Sequence, residues 1–289
     1  MADYPEIIIN AYTGYFNYLV GEVTHPGWHN YFYGLSAVSL IAWVLEMAFP
    51  WRRDQGLFRR DFWLDAFYMY FNFFLFSLLV YNALSNVSVA ALRDALAVFG
   101  FEHRTVIDLR SLPNVVQLLI LFVLSDFVQW LVHRLLHRVP LLWQFHKVHH
   151  SVREMGFAAH LRFHWVETIV YKSVLFIPFT LIGYGASDFF VVHIVQIIIG
   201  HLNHANISLS YGIFGYLLNN PAMHIWHHAR ELPEIYGVNF GISLSLWDYV
   251  FGTAYVPCEG RDIELGFPGD ENFPQAFTSQ IIYPARQGR

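Results

Sequence analysis

Three stretches of the sequence stay apolar for about the 20 residues a helix needs to cross a bilayer. Each carries a single charge: residues 31–50 with Glu46, 62–81 with Asp65, and 113–132 with Asp126. Two shorter apolar runs follow at 166–183 and 187–200, separated by the turn-forming Gly183-Tyr184-Gly185-Ala186. They predict a helical hairpin, with a buried pair of core helices as the alternative, because runs this short fit both. Residues 89–98 alternate apolar and polar positions at helical spacing and predict an amphipathic surface helix. From 206 onward turn signals break the pattern: Asn219-Asn220-Pro221, Pro233, Gly237 and Gly241. A short helix at 221–229 is expected there, followed by loops and a tail. The pattern as a whole predicts an all-α integral membrane protein, a four-helix transmembrane bundle capped by a histidine-rich helical region.

Composition supports that class. Of 289 residues, 55% are hydrophobic and only 13% charged, against about 25% charged in an average soluble domain. A disordered chain and an ordinary water-soluble enzyme are excluded. The net charge of −5 comes with no basic stretch, so nucleic acid is not a partner. One cysteine, Cys258, leaves no intramolecular disulfide and no cysteine-built metal site. The start, Met1-Ala2-Asp3-Tyr4-Pro5-Glu6, is acidic where a signal peptide opens with positive charge, so none is expected. Lys and Arg set the sidedness. Residues 1–51 contain none; Arg52, Arg53, Arg59 and Arg60 follow the first span, and Arg134, Arg138, Lys147, Arg153 and Arg162 follow the third. Both regions are expected on the cytoplasmic side, with 82–112 outside.

Histidine changes the picture most. The chain has 16, and 13 of them lie between His133 and His228. The pattern His-x-x-His-His occurs twice, as His146-Lys147-Val148-His149-His150 and as His224-Ile225-Trp226-His227-His228. Positions i, i+3 and i+4 share a helix face, so each motif is expected to present three imidazoles to one point. His133 and His137 add an i, i+4 pair at the end of the third span. A zinc ion takes four ligands, often only three from protein. Eight converging imidazoles therefore fit two metals of higher coordination number, and imidazole suits Fe, Zn, Cu and Ni. His204 joins as a further candidate ligand where the hairpin re-enters the cytoplasmic side. His160, His164 and His201 are candidates either to ligate or to hold a ligand imidazole from behind. Asp126 lies two helical turns before His133 and is expected either to hold an imidazole by its free N–H or to pair with a nearby Trp or Arg. Glu46 and Asp65 are expected to pair with the arginine loop, and His29, His103 and His193 to be structural.

With these motifs in place, the sequence resembles the fatty acid hydroxylase superfamily, also called the sterol desaturase family, over roughly residues 113–256. The matching stretches are Ser125-Asp126-Phe127 leading into His133-Arg134-Leu135-Leu136-His137; Leu142-Trp143-Gln144-Phe145-His146 running on to His149-His150-Ser151; Arg162-Phe163-His164 with Glu167; His204-Ala205-Asn206; Asn220-Pro221 before His224; and Leu246-Trp247-Asp248-Tyr249-Val250-Phe251-Gly252-Thr253. Trp165 departs from the family, which usually has Pro there.

The resemblance implies a membrane di-metal oxygenase, di-iron in most members, with zinc able to replace iron on purification. It implies O2 as co-substrate and hydroxylation or desaturation of a lipid or sterol C–H bond. It also implies His133, His137, His146, His149, His150, His204, His224, His227 and His228 as ligands. No G-x-S-x-G elbow and no Gly-rich nucleotide loop is present. Electrons must therefore come from outside, from a ferredoxin or cytochrome b5 with its reductase, steered by Arg134, Arg138, Lys147 and Arg153. The expected organisation is 1–112 for N-terminal spans and an amphipathic segment, 113–256 for the hydroxylase-like catalytic domain, and 257–289 for a tail, in one structural unit. The rival reading is a histidine-rich membrane metal-binding or transport protein. A transporter, however, places ligands near the bilayer midplane on broken helices, whereas these lie at one mouth. A zinc hydrolase needs a general base such as the Glu of His-Glu-x-x-His, which neither motif contains.

Overall fold

The computed structural model describes residues 3–98, 109, 112–180 and 186–284. Helix α1, Tyr4–Thr24, opens with Asp3 accepting the Glu6 N–H and with Pro5 in its first turn. Helix α2, Tyr31–Ala48, is capped by Asn30, whose side chain accepts the Tyr33 N–H at 3.0 Å. Helix α3, Phe62–Tyr70, continues through two wide π-helical turns, Phe71–Leu75 and Ser77–Tyr81, into α4, Asn82–Val98. Pro113 stops the chain before α5, Asn114–Arg138. Three runs are long and apolar enough to cross a membrane: Tyr31–Ala48, Phe62–Ala95 and Asn114–Arg138. These are the three long runs of the sequence.

The expected hairpin consists of α7, Trp165–Thr180, and α8, Ala186–His204. Its turn residues Gly183, Tyr184 and Gly185, like His103, lie outside the described residues. Helix α7 packs on α5, and α8 packs on α2 and α5. The amphipathic segment 89–98 sits within α4, and α1 covers one side of it antiparallel, through Asn82 Nδ2 to Ala11 O at 2.8 Å and Tyr4 OH to Asp94 at 3.2 Å.

At the end where α2 stops and α3 starts, a cap is built from α6, Pro140–His150, a tight turn Phe157–Leu161, α9, Pro221–His227, α10, Leu246–Val250, and α11, Phe277–Gln280. No strand forms among the described residues; isolated bridges such as Pro50 with Ile207 tie the loops.

Charge at this end is buried and paired. Asp65 bonds Arg59 at 2.5 Å and Arg162 at 3.0 Å, as expected for the arginine loop, and Arg162 also reaches the Ser151 hydroxyl at 2.9 Å. Glu46 instead accepts the Phe157 and Asn206 N–H groups at 2.7 and 2.8 Å, closing the turn onto α2. The segment expected as a loose tail is packed. Phe267, Phe273 and Tyr283 are buried against Tyr68 and Val148, and Tyr68 donates to Gln280 at 3.0 Å.

Candidate metal centre

The nine histidines of the three motifs and His204 come together, all buried except His137, which is half-buried. They form two groups. His133, His137, His146, His150 and His227 make one; His149, His204, His224 and His228 make the other, with the ring nitrogens of each group within 4.8 Å of one another.

The expectation that each His-x-x-His-His motif aims at one point is corrected. In α6 the i, i+4 pair His146 and His150 enters the first group and His149 the second. In and just after α9 the i, i+4 pair His224 and His228 enters the second and His227 the first. The reason is angular. Residues four apart differ by about 40° around a helix axis and three apart by about 60° on the other side, so a triple straddles two points. Each motif thereby stitches the two groups together.

The donor set fits metal. Nε2 to Nε2 separations are 3.1 Å for His133–His146, 3.2 Å for His137–His150, 3.4 Å for His149–His204 and 3.0 Å for His204–His224. Two nitrogens 2.0–2.1 Å from one metal at a tetrahedral angle lie about 3.3 Å apart. Five ring nitrogens of the two groups have no hydrogen-bond partner: His149 Nδ1, His224 Nδ1, His227 Nε2 and both nitrogens of His228. Buried polar atoms are almost always satisfied, and a cation in each group would satisfy His227 Nε2 in the first and one nitrogen of His228 in the second.

The outward-facing nitrogens set the tautomers. Nδ1–H of His133 donates to Phe240 O at 2.8 Å, that of His204 to Gly200 O at 2.8 Å, and that of His227 to Val238 O at 2.7 Å. His146 Nδ1 bonds the Glu167 carboxylate. In each, Nε2 is left as the lone-pair nitrogen facing its group. Burial, with the neighbouring imidazoles adding to it, pushes His146, His149, His150, His224, His227 and His228 well below the ordinary imidazole pKa. They are neutral at pH 7, the ligating form.

The remaining candidates fall in other places. His160 Nδ1 and His201 Nδ1 are 3.0 Å apart, His201 Nε2 meets the Ser39 hydroxyl at 3.1 Å, and the His160 ring lies 5.2 Å from that of His204. This relay backs the second group. For Asp126 the alternative of holding an imidazole is corrected, and the pairing with a Trp is what the structure shows. Its carboxylate accepts the Ser243 and Leu244 N–H groups at 2.8 and 3.1 Å and the Trp247 indole at 2.9 Å. His164 is corrected too: it bonds Ile281 O at 3.0 Å and accepts the Val166 N–H at 3.1 Å, tying the start of α7 to the C-terminal segment. Trp165 donates to the same carbonyl at 2.8 Å.

Two positioning residues carry roles that the histidine spacing does not reveal. One is Glu167, recognisable as an acid inside an apolar run. The other is Asp248, which gathers Phe240 N, Gly241 N and the Trp130 indole at 2.9, 2.7 and 2.9 Å. It fixes the loop whose Phe240 carbonyl holds His133.

A cavity of about 380 Å³ lies beside this centre between α1, α3, α5, α7 and α8. His160 and Phe163 form part of its wall, and the Phe163 ring lies 5.1 Å from that of His149. The π-helical turns that follow α3 add Asn72, Phe73, Phe74 and Ser77 to the wall, and Asn72 Nδ2 donates to the Phe163 carbonyl at 2.8 Å.

Residues 118–253 match the fatty acid hydroxylase family. The chain carries a domain of that family. A relative of this chain is the ornithine lipid hydroxylase OlsE of Rhizobium tropici, 31% identical over 178 residues, which is 61% of this chain and 53% of that protein. The alkylglycerol monooxygenase of Xenopus tropicalis is 29% identical over 160 residues, 54% of this chain and 34% of that protein. A rice very-long-chain aldehyde decarbonylase, GL1-10, is 25% identical over 142 residues, 47% of this chain and 46% of that protein. The chain thus spans about half or less of the length of these relatives. No solved structure matches it.

Proposed function

We propose that this chain is a membrane di-iron oxygenase that uses O2 and external electrons to hydroxylate or desaturate a C–H bond of a lipid or sterol. The observation that carries the reading is the pairing of two interlocked histidine groups with an apolar cavity beside them, whose wall residue Phe163 packs near His149. His133, His137, His146, His150 and His227 would hold one metal, and His149, His204, His224 and His228 the other. Two redox-active metals supply O2 activation when bound. In hydroxylation one oxygen atom enters the C–H bond and the other leaves as water, which consumes two electrons and two protons.

The protein's own contribution is placement. Carbonyls of Phe240, Gly200 and Val238 and the Glu167 carboxylate aim the imidazoles. The aromatic wall of the cavity keeps water from the reacting carbon and lets a hydrocarbon chain lie beside the centre. The names of the three relatives share lipid chemistry and differ in the reaction, which favours a lipid or sterol substrate and leaves the outcome to the cavity.

The α7–α8 hairpin completes a four-helix transmembrane bundle in this reading, with the centre on the cytoplasmic face. The electron donor, a ferredoxin or cytochrome b5 with its reductase, docks there. Of the four basic residues first considered, Arg153 is committed to Asp270 at 3.0 Å and Arg134 lies 5.2 Å over the Trp130 ring. Arg138 is exposed and lies 5.5 Å over the Tyr236 ring, from where it would steer an acidic donor.

The test is to count iron, zinc and manganese per chain in detergent and profile lipids of an expressing host. Two metals per chain, lost in His149→Ala and His227→Ala, and an oxidised lipid dependent on the same residues, are expected. A chain that takes one zinc or none, with both variants unchanged, would end the oxygenase reading in favour of metal storage or transport.

A further inference from the structure

The cavity contains one charge that neither the metal centre nor the fold uses. Thr168, Tyr171, Lys172 and Leu175 recur on α7 at i, i+3, i+4 and i+7, one helical face, and all four line the cavity. Lys172 donates to the Ser77 hydroxyl at 2.6 Å, and its Nζ lies 4.8 Å from the centre of the Tyr81 ring. An ammonium has three N–H donors, and no carboxylate among the described residues bonds this one. None of the residues lining the cavity is an acid.

A cation inside an apolar span is costly and is normally paired, or marks a binding path. Structural lysines of this depth answer to a carboxylate, as Arg162 here answers to Asp65. One turn before Lys172, the buried Thr168 hydroxyl, 7% exposed, has no hydrogen-bond partner. Two donors, one charged and one neutral, thus sit on one face of the cavity with no carboxylate among its lining residues. They lie on the helix whose Glu167 holds His146, Lys172 about 7.5 Å further along its axis at 1.5 Å per residue.

We propose that Lys172, with Thr168 beside it, binds the acidic group of an amphiphilic substrate, a carboxylate or a phosphate, and so selects anionic lipids for the cavity. The inference rests on reading the cavity as the lipid slot of the oxygenase. It specifies the substrate class: the molecule that enters carries a negative head close to the metal end, and a neutral alcohol, ether or sterol of equal length is the poorer ligand.

Binding of radiolabelled palmitate, 1-hexadecanol and 1-palmitoyl lysophosphatidate to the full chain in detergent at pH 8 tests it. Palmitate or the lysophosphatidate is expected to bind the wild type about tenfold tighter than hexadecanol, a difference of about 1.4 kcal/mol. Whichever of the two acids is preferred names the group. Lys172→Met is expected to bring acid and alcohol within about twofold, and Lys172→Arg to keep the preference. Retained hexadecanol binding by Lys172→Met shows that the variant is folded. Equal binding of acid and alcohol by the wild type, or an undiminished acid preference in Lys172→Met, overturns the proposal and leaves the oxygenase reading standing. Failure of all three probes to bind overturns both.

Discussion

An imidazole that ligates through one ring nitrogen must keep its proton on the other, and three backbone carbonyls and one carboxylate enforce this here. Among the described residues Glu167 is the only side chain in that role, and its partner His146 is fully buried with it. Glu167→Ala is expected to weaken metal binding by about tenfold to a hundredfold, the usual cost of losing such a partner. Glu167→Gln, which keeps an acceptor, should lose less. Competition against a chelator measures both, and unchanged affinity in the alanine variant would remove Glu167 from the centre.

Eight of the nine clustered histidines were legible in the sequence because i, i+3 and i+4 spacing is local information, and His204 because of its place at the end of α8. Glu167 was not, because its partner is set by how α7 crosses α6. His164 misled for the converse reason: its i, i+4 spacing to His160 matches that of the clustered pairs, but its ring faces Ile281. Burial pushes His164 down to about 4. The unfolded chain, with its imidazole near 6.5, therefore binds more protons between pH 6.5 and about 4. Stability from this residue is full above 6.5, declines as pH falls through that window and is gone near pH 4, a loss of about 3 kcal/mol. The thermal midpoint of the metal-free protein should fall on acidification, less steeply in His164→Gln. Identical slopes would show that His164 does not titrate with unfolding.

At the scale of elements, the hydrophobic pattern located where the three long spans start to within a residue, since apolarity is a property of the segment itself, while the second and third helical runs continue past the expected ends to Ala95 and Arg138. What a span's lone charge does is a tertiary matter. Asp65 found the arginines, Glu46 found two backbone amides, and Asp126 found the loop carrying Ser243, Leu244 and Trp247. Asp126 thus clamps α5 to the segment that presents Phe240 and Val238 to the ligands. Asp126→Ala strands two backbone N–H groups and an indole N–H in a fully buried place. It should cost about 3 kcal/mol or more. The expected signature is a lowered thermal midpoint and faster proteolysis within 239–248, with metal lost only as the loop opens. A midpoint equal to wild type would mean that the loop is held by other contacts.

For the whole molecule, the family match ends at residue 253, yet the packing does not. Sequence reading placed a tail after 256 because the composition there turns polar and Pro- and Gly-rich. Its apolar residues are too widely spaced to signal an element. They are nonetheless the complement of surfaces far away in the chain. Phe267 and Phe273 cover Val148 one residue from His149, Tyr283 joins them, Gln280 accepts the Tyr68 hydroxyl, and Ile281 O receives both His164 and Trp165. Arg230, two residues past the last ligand, is clamped by Glu264 and Glu271. The C-terminal segment is therefore the outer layer of the metal centre, wedged between α3, α6 and the start of α7. Removing residues 257–289 should expose Tyr68, Val148 and His150 to water, lower metal occupancy and yield an aggregating chain in detergent. A truncated protein that stays monodisperse and retains two metals would confine the centre to the family-matched stretch. The outcome bears on mechanism as well as stability, because an imidazole cluster that loses its outer layer loses the burial that keeps His146, His149 and His150 neutral and ready to ligate.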